Sequence, residues 1–300
     1  MSDVREDHQR PAIVRNLTAF RQRLRRVRVP EQTGGSRGTL ILAGSAVLAA
    51  GLIVLFMLTL DNHSVGWWET LSRSQRRAFD TITQFGKSNW LLIPTGVFCI
   101  ALLFADWSRT SRRVAAAWIE VGNLVAFFFF SIALAGILTN IIKWTGGRSR
   151  PVLFAEDGVF TFTFLSFDYA HVSFPSGHST TAAAAFIAVA LIFRGRRAVI
   201  IPVGLAVLAI AVSRVGVRAH FPSDIVAGLF VGGAFTYVYA RALGRHGVAF
   251  QRQPDGSLMP KTAAIRGMLA HRGGGRAMLA GLRSAWFGHR ARDDGAVEKR

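Results

Sequence analysis

Three short stretches of the sequence carry the residues that could do chemistry. They are Lys143-x6-Arg150-Pro151, Pro175-Ser176-Gly177-His178 and Ser213-Arg214-x5-His220-x3-Asp224. Together they supply cations, two histidines and a carboxylate. Such a set can bind a phosphate group, attack it and protonate its leaving group without a metal ion.

The cations and one glycine-containing turn are suited to holding the phosphate. Lys143, Arg150 and Arg214 can balance its negative charges, and each guanidinium can donate two parallel hydrogen bonds. Ser176 and Gly177 precede an alanine-rich apolar run, which we expect to be a helix. Main-chain amides at a helix N-terminus point towards an anion, and glycine lets the backbone approach it closely. We therefore predict that all five residues bind phosphate.

The two histidines allow a division of labour. His220 and Asp224 are four positions apart, so they can meet if this stretch is helical or a tight turn. A carboxylate on one ring nitrogen fixes the tautomer and stabilises the charged imidazole. We therefore expect His220 to be the nucleophile, Asp224 to orient it, and His178 to protonate the leaving group.

Long apolar segments must position these motifs. The sequence is 51% hydrophobic and only 18% charged, with apolar runs separated by short charged loops. A run of about 20 residues rises far enough as a helix to cross a hydrocarbon core of roughly 30 Å. We therefore predict an all-α integral membrane protein whose six transmembrane helices form a helical bundle. The expected spans are residues 39–60, 90–105, 114–142, 177–193, 199–213 and 223–243.

The placement of basic residues predicts the orientation. Most of the 36 Lys and Arg residues fall in the N-terminal region 1–38, the loops 106–113 and 194–198, and the C-terminal region 244–300. Because cytoplasmic segments are enriched in Lys and Arg, we expect both termini to be cytoplasmic and all three motifs to face the outer side of a cell inner membrane. The expected domains are a basic cytoplasmic tail (1–38), a six-span membrane phosphatase domain (39–243) and a basic, flexible cytoplasmic tail (244–300).

The three motifs resemble those of the type 2 phosphatidic acid phosphatase family, whose core is shared with vanadium-dependent haloperoxidases and glucose-6-phosphatase. The resemblance covers about residues 61–240. It implies metal-independent hydrolysis without a cofactor, through a phosphohistidine formed on His220 and supported by Asp224, with His178 as the acid. It also implies a six-helix core. Arg148 is not part of the motif pattern.

The sequence leaves the substrate open. A site between helices at the outer interface suits a lipid whose phosphate projects from the bilayer: undecaprenyl diphosphate, phosphatidic acid or phosphatidylglycerol phosphate, with a lipid A phosphate as the alternative. The partners predicted are thus the bilayer and a lipid phosphate. The sequence does not predict an oligomeric state.

Other classes of protein fit less well. A haloperoxidase would hold vanadate in the same pocket, but such enzymes are typically larger and soluble. A transporter would carry ionisable residues along the middle of its spans, where this chain has few. A non-catalytic phosphate-binding membrane protein would lack motif residues, and none is missing. The net charge of +19 could suggest nucleic acid. However, the basic residues follow the predicted membrane topology, so we expect no nucleic-acid partner.

Overall fold

Uncharged segments fold into long helices because a helix pairs its own backbone groups, which nothing in a lipid phase would otherwise satisfy. The computed structural model describes residues 11–26 and 35–288. The helices of its N-terminal half are α1 (Ala12–Arg26), α2 (Gly35–Thr70), α3 (Arg73–Gln84), α4 (Asn89–Phe104) and α5 (Arg112–Gly146). Those of its C-terminal half are α6 (Phe154–Asp157), α7 (Gly177–Ile192), α8 (Arg197–Gly216), α9 (Pro222–Arg245), α10 (Ala263–Leu269) and α11 (Gly274–Phe287).

The all-α membrane fold that the sequence predicts is confirmed, and all six expected spans are helical. Within the described residues, five helical stretches are long and apolar enough to cross a membrane. They are Gly38–Thr70, Arg73–Phe104, Arg112–Gly146, Arg197–Gly216 and Pro222–Arg245. The remaining expected span is α7, an apolar helix of 16 residues. The structure therefore supports the prediction of six spans approximately.

Helices α7 and α9 pack against each other unusually closely because both carry small residues at the contact. A Cβ atom built on Gly228 would lie 2.4 Å from the carbonyl oxygen of Ser176, and one on Gly232 would lie 2.2 Å from that of Thr180. Ala184, on the same face of α7, is fully buried. Small residues four apart let two helix backbones approach. This contact brings the start of α7 next to the start of α9, and both of those ends carry motif residues.

The opposite end of the bundle holds the N-terminal helix and the C-terminal region. In α1, the Asn16 side chain donates to the carbonyl oxygen of Leu103, at 2.8 Å. Strands β1 (Phe250–Arg252) and β2 (Leu258–Pro260) form an antiparallel hairpin, and the fully buried Phe250 joins the core beside Phe127.

The C-terminal region differs from the flexible tail that the sequence predicts. The amide of Ile265 donates to Glu120 at 3.0 Å, and the indole of Trp118 donates to the carbonyl oxygen of Met278 at 2.9 Å. These contacts dock α10 and α11 on α5. Gly273 lies in the turn between the two helices and is the N-cap of α11. Residues 289–300 lie outside the described part of the chain.

Candidate active site

The motif cations converge at one end of the bundle, where Lys143 and Arg150 donate to main-chain carbonyl groups. Lys143 lies in the last turn of α5 and is buried. Its ammonium donates to the carbonyl oxygens of Val172 at 2.8 Å and Ser173 at 3.2 Å. A Cβ atom built on Gly177 would lie 3.7 Å from Cε of Lys143. The lysine of the first motif therefore lies directly against the glycine of the second.

Arg150 links the first motif to the third. Its guanidinium donates to the carbonyl oxygen of Ala219 at 2.9 Å and to that of Tyr169 at 2.7 Å. The guanidinium carbon also lies 3.9 Å from the centroid of the Tyr169 ring, a distance typical of a cation–π contact. Burial lowers the pKa of Arg150 by desolvating the charged form. Even so, a guanidinium stays charged at neutral pH.

Arg214 retains a donor that the chain does not use. One terminal nitrogen donates to the Thr83 hydroxyl at 2.5 Å. Its Nε atom is buried and has no hydrogen-bond partner among the described residues. A buried unpaired donor is costly unless a ligand satisfies it. This nitrogen is therefore suited to an anion bound at the site.

Ser176 is the N-cap of α7 and also ties that helix to α9. Its hydroxyl accepts from the Ser179 hydroxyl at 3.0 Å and from the Ser179 amide at 3.4 Å. Its own amide donates to the carbonyl oxygen of Asp224 at 2.9 Å. That amide is therefore occupied within the chain, whereas the sequence prediction expected it to point at phosphate. The hydroxyl hydrogen of Ser176 remains available for donation.

His220 is held by a carboxylate and a hydroxyl. Its Nδ1 atom lies 3.6 Å from Oδ2 of Asp224 and 3.4 Å from Oγ of Ser173. Ser173 donates to the same Asp224 oxygen at 2.6 Å, as does the amide of Phe221 at 2.9 Å. Because the Ser173 hydrogen goes to Asp224, both oxygens that face Nδ1 are acceptors. Nδ1 therefore carries the hydrogen, and Nε2 keeps its lone pair.

Burial also keeps this imidazole neutral. His220 is 2% exposed, and desolvation of the charged form is the main reason why its pKa lies well below the usual value of 6.5. The neighbouring carboxylate of Asp224 raises the pKa of His220 and so opposes that shift without reversing it. A neutral ring with a free lone pair is the form that a nucleophile requires.

A buried network that the motif pattern missed holds Asp224. Arg148 is fully buried and donates to Oδ1 of Asp224 at 2.6 Å, to the Ser223 hydroxyl at 2.7 Å and to Asp61 at 2.8 Å. Asp61, in α2, also accepts from the amide of Ser223 at 3.0 Å and from its hydroxyl. The guanidinium further lies 4.4 Å from the centroid of the Phe221 ring. Asp224 is thus held directly by Arg148 of the α5–α6 connection, and Arg148 is in turn anchored by Asp61 of α2 and Ser223 of α9.

His178 lies at the first turn of α7 in different surroundings. It is half-buried, and its ring makes no hydrogen bond within residues 11–26 and 35–288. Gly86, in the turn between α3 and α4, packs directly on it: a Cβ atom there would lie 2.7 Å from Cδ2 of His178. The charges of Lys143 and Arg150 act on both His178 and His220. Both histidines therefore lie near the same cations.

The eight residues predicted from the sequence thus surround one location, and their arrangement allows phosphoryl transfer. Cations, a helix N-terminus and two histidines suit a bound phosphate that is attacked from one side and protonated on the other. Ser173, Arg148 and Asp61 are structural additions to that set. Within the described ranges, no group of three or more His, Cys, Asp or Glu side chains is arranged to hold a metal ion.

Comparisons with known proteins identify the family of this chain. Residues 124–247 match the family model described as the PAP2 superfamily. The chain is 38% identical over 184 residues to a lipid A 1-phosphatase of Rhizobium etli, an alignment covering 59% of this chain and 75% of that protein. It is 37% identical over 182 residues to a lipid A 1-phosphatase of Rhizobium johnstonii, covering 59% and 71%.

A solved structure also resembles the chain. It is the crystal structure of a transmembrane PAP2-type phosphatidylglycerolphosphate phosphatase from Bacillus subtilis. The sequence identity is 19% and the TM-score is 0.43, and the match covers 67% of this chain and 93% of that one.

Proposed function

This chain belongs to the PAP2 superfamily and is a membrane lipid phosphatase, and we propose that it acts through a covalent phosphohistidine formed on His220. The observation that carries this proposal is the pairing of Nδ1 of His220 with Asp224 and Ser173, which leaves the Nε2 lone pair free. Asp224 is itself held by the fully buried Arg148. The imidazole is therefore fixed in the tautomer and orientation that an attack on phosphorus needs.

The first step forms the intermediate. Lys143, Arg150 and Arg214 bind the phosphate, together with the Ser176 hydroxyl and the Gly177 amide. Nε2 of His220 forms a bond to phosphorus as the bond to the leaving oxygen breaks. Protonated His178 gives its proton to that oxygen, so the lipid leaves as an alcohol or, from a diphosphate, as a phosphate monoester. Asp224 stabilises the positive charge that develops on the ring of His220.

The second step regenerates the enzyme. His178, now neutral, accepts a proton from a water molecule as that water attacks phosphorus. The bond between phosphorus and Nε2 breaks, and inorganic phosphate leaves. The cations stabilise the spread-out negative charge in both transition states, which is where most catalysis of phosphoryl transfer originates.

The substrate that we favour is a lipid A phosphate. Two relatives that this chain covers over more than two thirds of their length carry the name lipid A 1-phosphatase. Undecaprenyl diphosphate, phosphatidic acid and phosphatidylglycerol phosphate are the other candidates. The distribution of Lys and Arg supports a site on the outer side of the inner membrane, with both termini in the cytoplasm.

Replacement of the nucleophile tests the proposal. We expect the purified protein in detergent to release phosphate from a panel of these lipids in the presence of EDTA, and His220→Ala to abolish release. A brief incubation of wild-type protein with radiolabelled lipid phosphate, followed by an alkaline quench, should trap acid-labile label on the chain. Release by the variant at the wild-type rate would refute the assignment of His220.

A further inference from the structure

The connection between α5 and α7 carries an apolar segment that the catalytic proposal does not use. Residues 158–167, called the aromatic segment below, include four phenylalanines and a leucine and contain no charged residue. All five of these side chains are exposed, Phe164 and Phe167 each to 76% and Leu165 to 70%. A contiguous apolar surface of this kind on a folded protein marks an interaction site.

The aromatic segment continues the lipid-facing surface of α5. Near the end of that spanning helix, Ile137, Ile141 and Trp144 are 56%, 50% and 42% exposed. Their spacing of four and three positions places them on one face of the helix. The ring of Trp144 lies against that of Phe167, with 5.6 Å between the ring centroids. The face of α5 that meets lipid therefore extends directly to the aromatic segment, which favours a bilayer over a protein as the partner of this surface.

Hydrogen bonds tie the backbone of the aromatic segment to the chain that follows α5. The amide of Thr163 donates to the carbonyl oxygen of Gly147 at 2.8 Å, and the amide of Ser149 donates to that of Thr161 at 3.1 Å. Gly147 allows this close approach, since a Cβ atom there would lie 1.7 Å from the carbonyl oxygen of Thr163. Backbone groups that enter hydrocarbon must be paired within the protein. These groups meet that requirement.

The residues that follow the aromatic segment contact the phosphate-binding cations. Arg150 donates to the carbonyl oxygen of Tyr169 and lies against its ring, and the amide of Arg150 donates to the carbonyl oxygen of Ala170 at 2.9 Å. Lys143 donates to the carbonyl oxygen of Val172. A change in the depth of the aromatic segment would therefore be passed on to these cations.

The order of side chains along this connection matches the boundary of a bilayer. Asp168 follows directly after Phe167, and its carboxylate accepts from the amide of Ala170 at 3.2 Å and lies 3.0 Å from the ring of His171. The next residue, Tyr169, is 70% exposed and is of a type enriched at the level of lipid headgroups. Polar and charged groups thus begin where the aromatic segment ends.

We propose that the aromatic segment inserts into the hydrocarbon of the leaflet nearest the site and so holds Arg150 at the depth of the lipid phosphates. Its ligand is the acyl-chain region of that leaflet. Insertion follows from the apolar surface and does not depend on the chemistry of His220, whereas its effect on turnover rests on the proposed function.

Fluorescence from a label on the aromatic segment tests insertion without turnover. The sequence has a single cysteine, Cys99, so Cys99→Ala allows one label to be attached at Phe164→Cys. The full-length protein carries an environment-sensitive fluorophore there and is placed in phosphatidylcholine nanodiscs, which leave both membrane faces open to solvent. We expect a lipid with a nitroxide near the start of its acyl chain to quench most of the emission, and aqueous iodide to quench little of it.

Glu156→Cys, labelled in the same Cys99→Ala background, is the matched control. Glu156 is exposed in α6, two residues before the aromatic segment, and its label should respond to iodide rather than to the nitroxide lipid. A label at position 164 that iodide quenches as strongly as the label at 156 would overturn the proposal. So would a label that neither quencher reaches, which is the result expected if a protein covered the segment.

Activity measurements separate this proposal from the proposed function. Phe164→Asp places a charge where hydrocarbon is expected, and should lower kcat/KM for dioleoyl phosphatidic acid in nanodiscs about tenfold while changing that for water-soluble dihexanoyl phosphatidic acid less than about twofold. Phe287→Asp makes the same change at an exposed phenylalanine at the opposite end of the bundle and should alter neither value. Equal losses for the two substrates would overturn the role in setting depth. A wild-type protein that releases no phosphate, with the label at 164 still quenched by lipid, would refute the proposed function and leave the insertion established.

Discussion

The two histidines of the site differ in how much of the chain holds them. His220 is 2% exposed and lies against Ser173 and Asp224, and behind these lie Arg148 and Asp61. His178 is half-buried, borders a cavity and has no hydrogen-bond partner within residues 11–26 and 35–288. One imidazole is thus fixed by a buried network, whereas packing alone positions the other.

This difference matches the tasks that we propose for the two rings. A nucleophile must meet the same phosphorus atom in every substrate, so a fixed tautomer and a fixed direction favour it. An acid must gain and lose a proton and must accommodate the group attached to the leaving oxygen. A hydrogen bond that held the ring of this acid in place would hinder both the proton transfer and the adjustment to the leaving group. The side of the site at His220, which the buried network holds, therefore contacts the phosphate. The side at His178, which borders the cavity and is called the open side below, accommodates the rest of the substrate.

Removing the centre of the network should have the largest effect. Arg148→Met leaves two buried carboxylates, Asp61 and Asp224, without their counter-charge. Breaking a buried ion pair in this way typically costs about 3–5 kcal/mol of folding free energy. We expect a large fall in the unfolding midpoint in detergent and loss of phosphate release.

Arg73→Met is the control for Arg148→Met, because Arg73 is an exposed arginine in the first turn of α3. It should behave like the wild type in both measurements. An Arg148→Met protein with wild-type stability and activity would show that His220 does not depend on the network.

The same network marks the limit of what the sequence could predict. The motif residues are identifiable because each motif is short and its residue types suit phosphate chemistry. Asp61 lies 162 positions before its partner Ser223, and at the end of an uncharged run it resembles an ordinary interfacial charge. Only the packing of α2 against α9 reveals that it is fully buried. Ser173 lay outside the motifs for the same reason, since its contacts depend on how the 152–174 loop folds.

The helices, too, could be predicted from the sequence only in part. Apolar runs predicted the positions of all six spans, because each helix in a membrane must satisfy its own backbone. The C-terminal region has no such local signal. Its two helices form because α5 offers Trp118 and Glu120 as partners, and those contacts cannot be inferred from a glycine-rich stretch of sequence.

A crowding substitution on the open side should have a smaller and more selective effect. In Gly86→Ala, the new methyl group would lie 2.7 Å from Cδ2 of His178 and 2.8 Å from Cγ2 of Ile210, so the imidazole must move. We expect a roughly tenfold fall in kcat for lipid phosphates, less than the 10²–10⁴-fold that general acid catalysis supplies in full, because the imidazole is displaced rather than removed. The loss should shrink for p-nitrophenyl phosphate, whose leaving group needs no proton.

Gly66→Ala is the matched control for Gly86→Ala, since a Cβ atom at Gly66 meets nothing within 4 Å. It should leave both rates unchanged. An equal loss for lipid and nitrophenyl substrates in Gly86→Ala would mean that the substitution disturbs phosphate binding rather than the acid.

The pH dependence of kcat/KM should show the smallest effect, and it tests the surroundings of His220. Because burial holds the pKa of His220 well below 6.5, the ring stays neutral and nucleophilic as the pH falls through 6.5. The acidic limb of kcat/KM that His220 causes should therefore lie below pH 6.5. The unfolded chain, in contrast, takes up a proton on this histidine near pH 6.5, so the contribution of His220 to stability is present above that pH and is lost below it. Ser173→Ala removes an acceptor from Nδ1 but leaves Asp224, and should move the limb only slightly. An acidic limb at or above pH 6.5 in the wild type would contradict this expectation. If Ser173→Ala also left that limb unchanged, the group whose protonation controls it would be one other than His220.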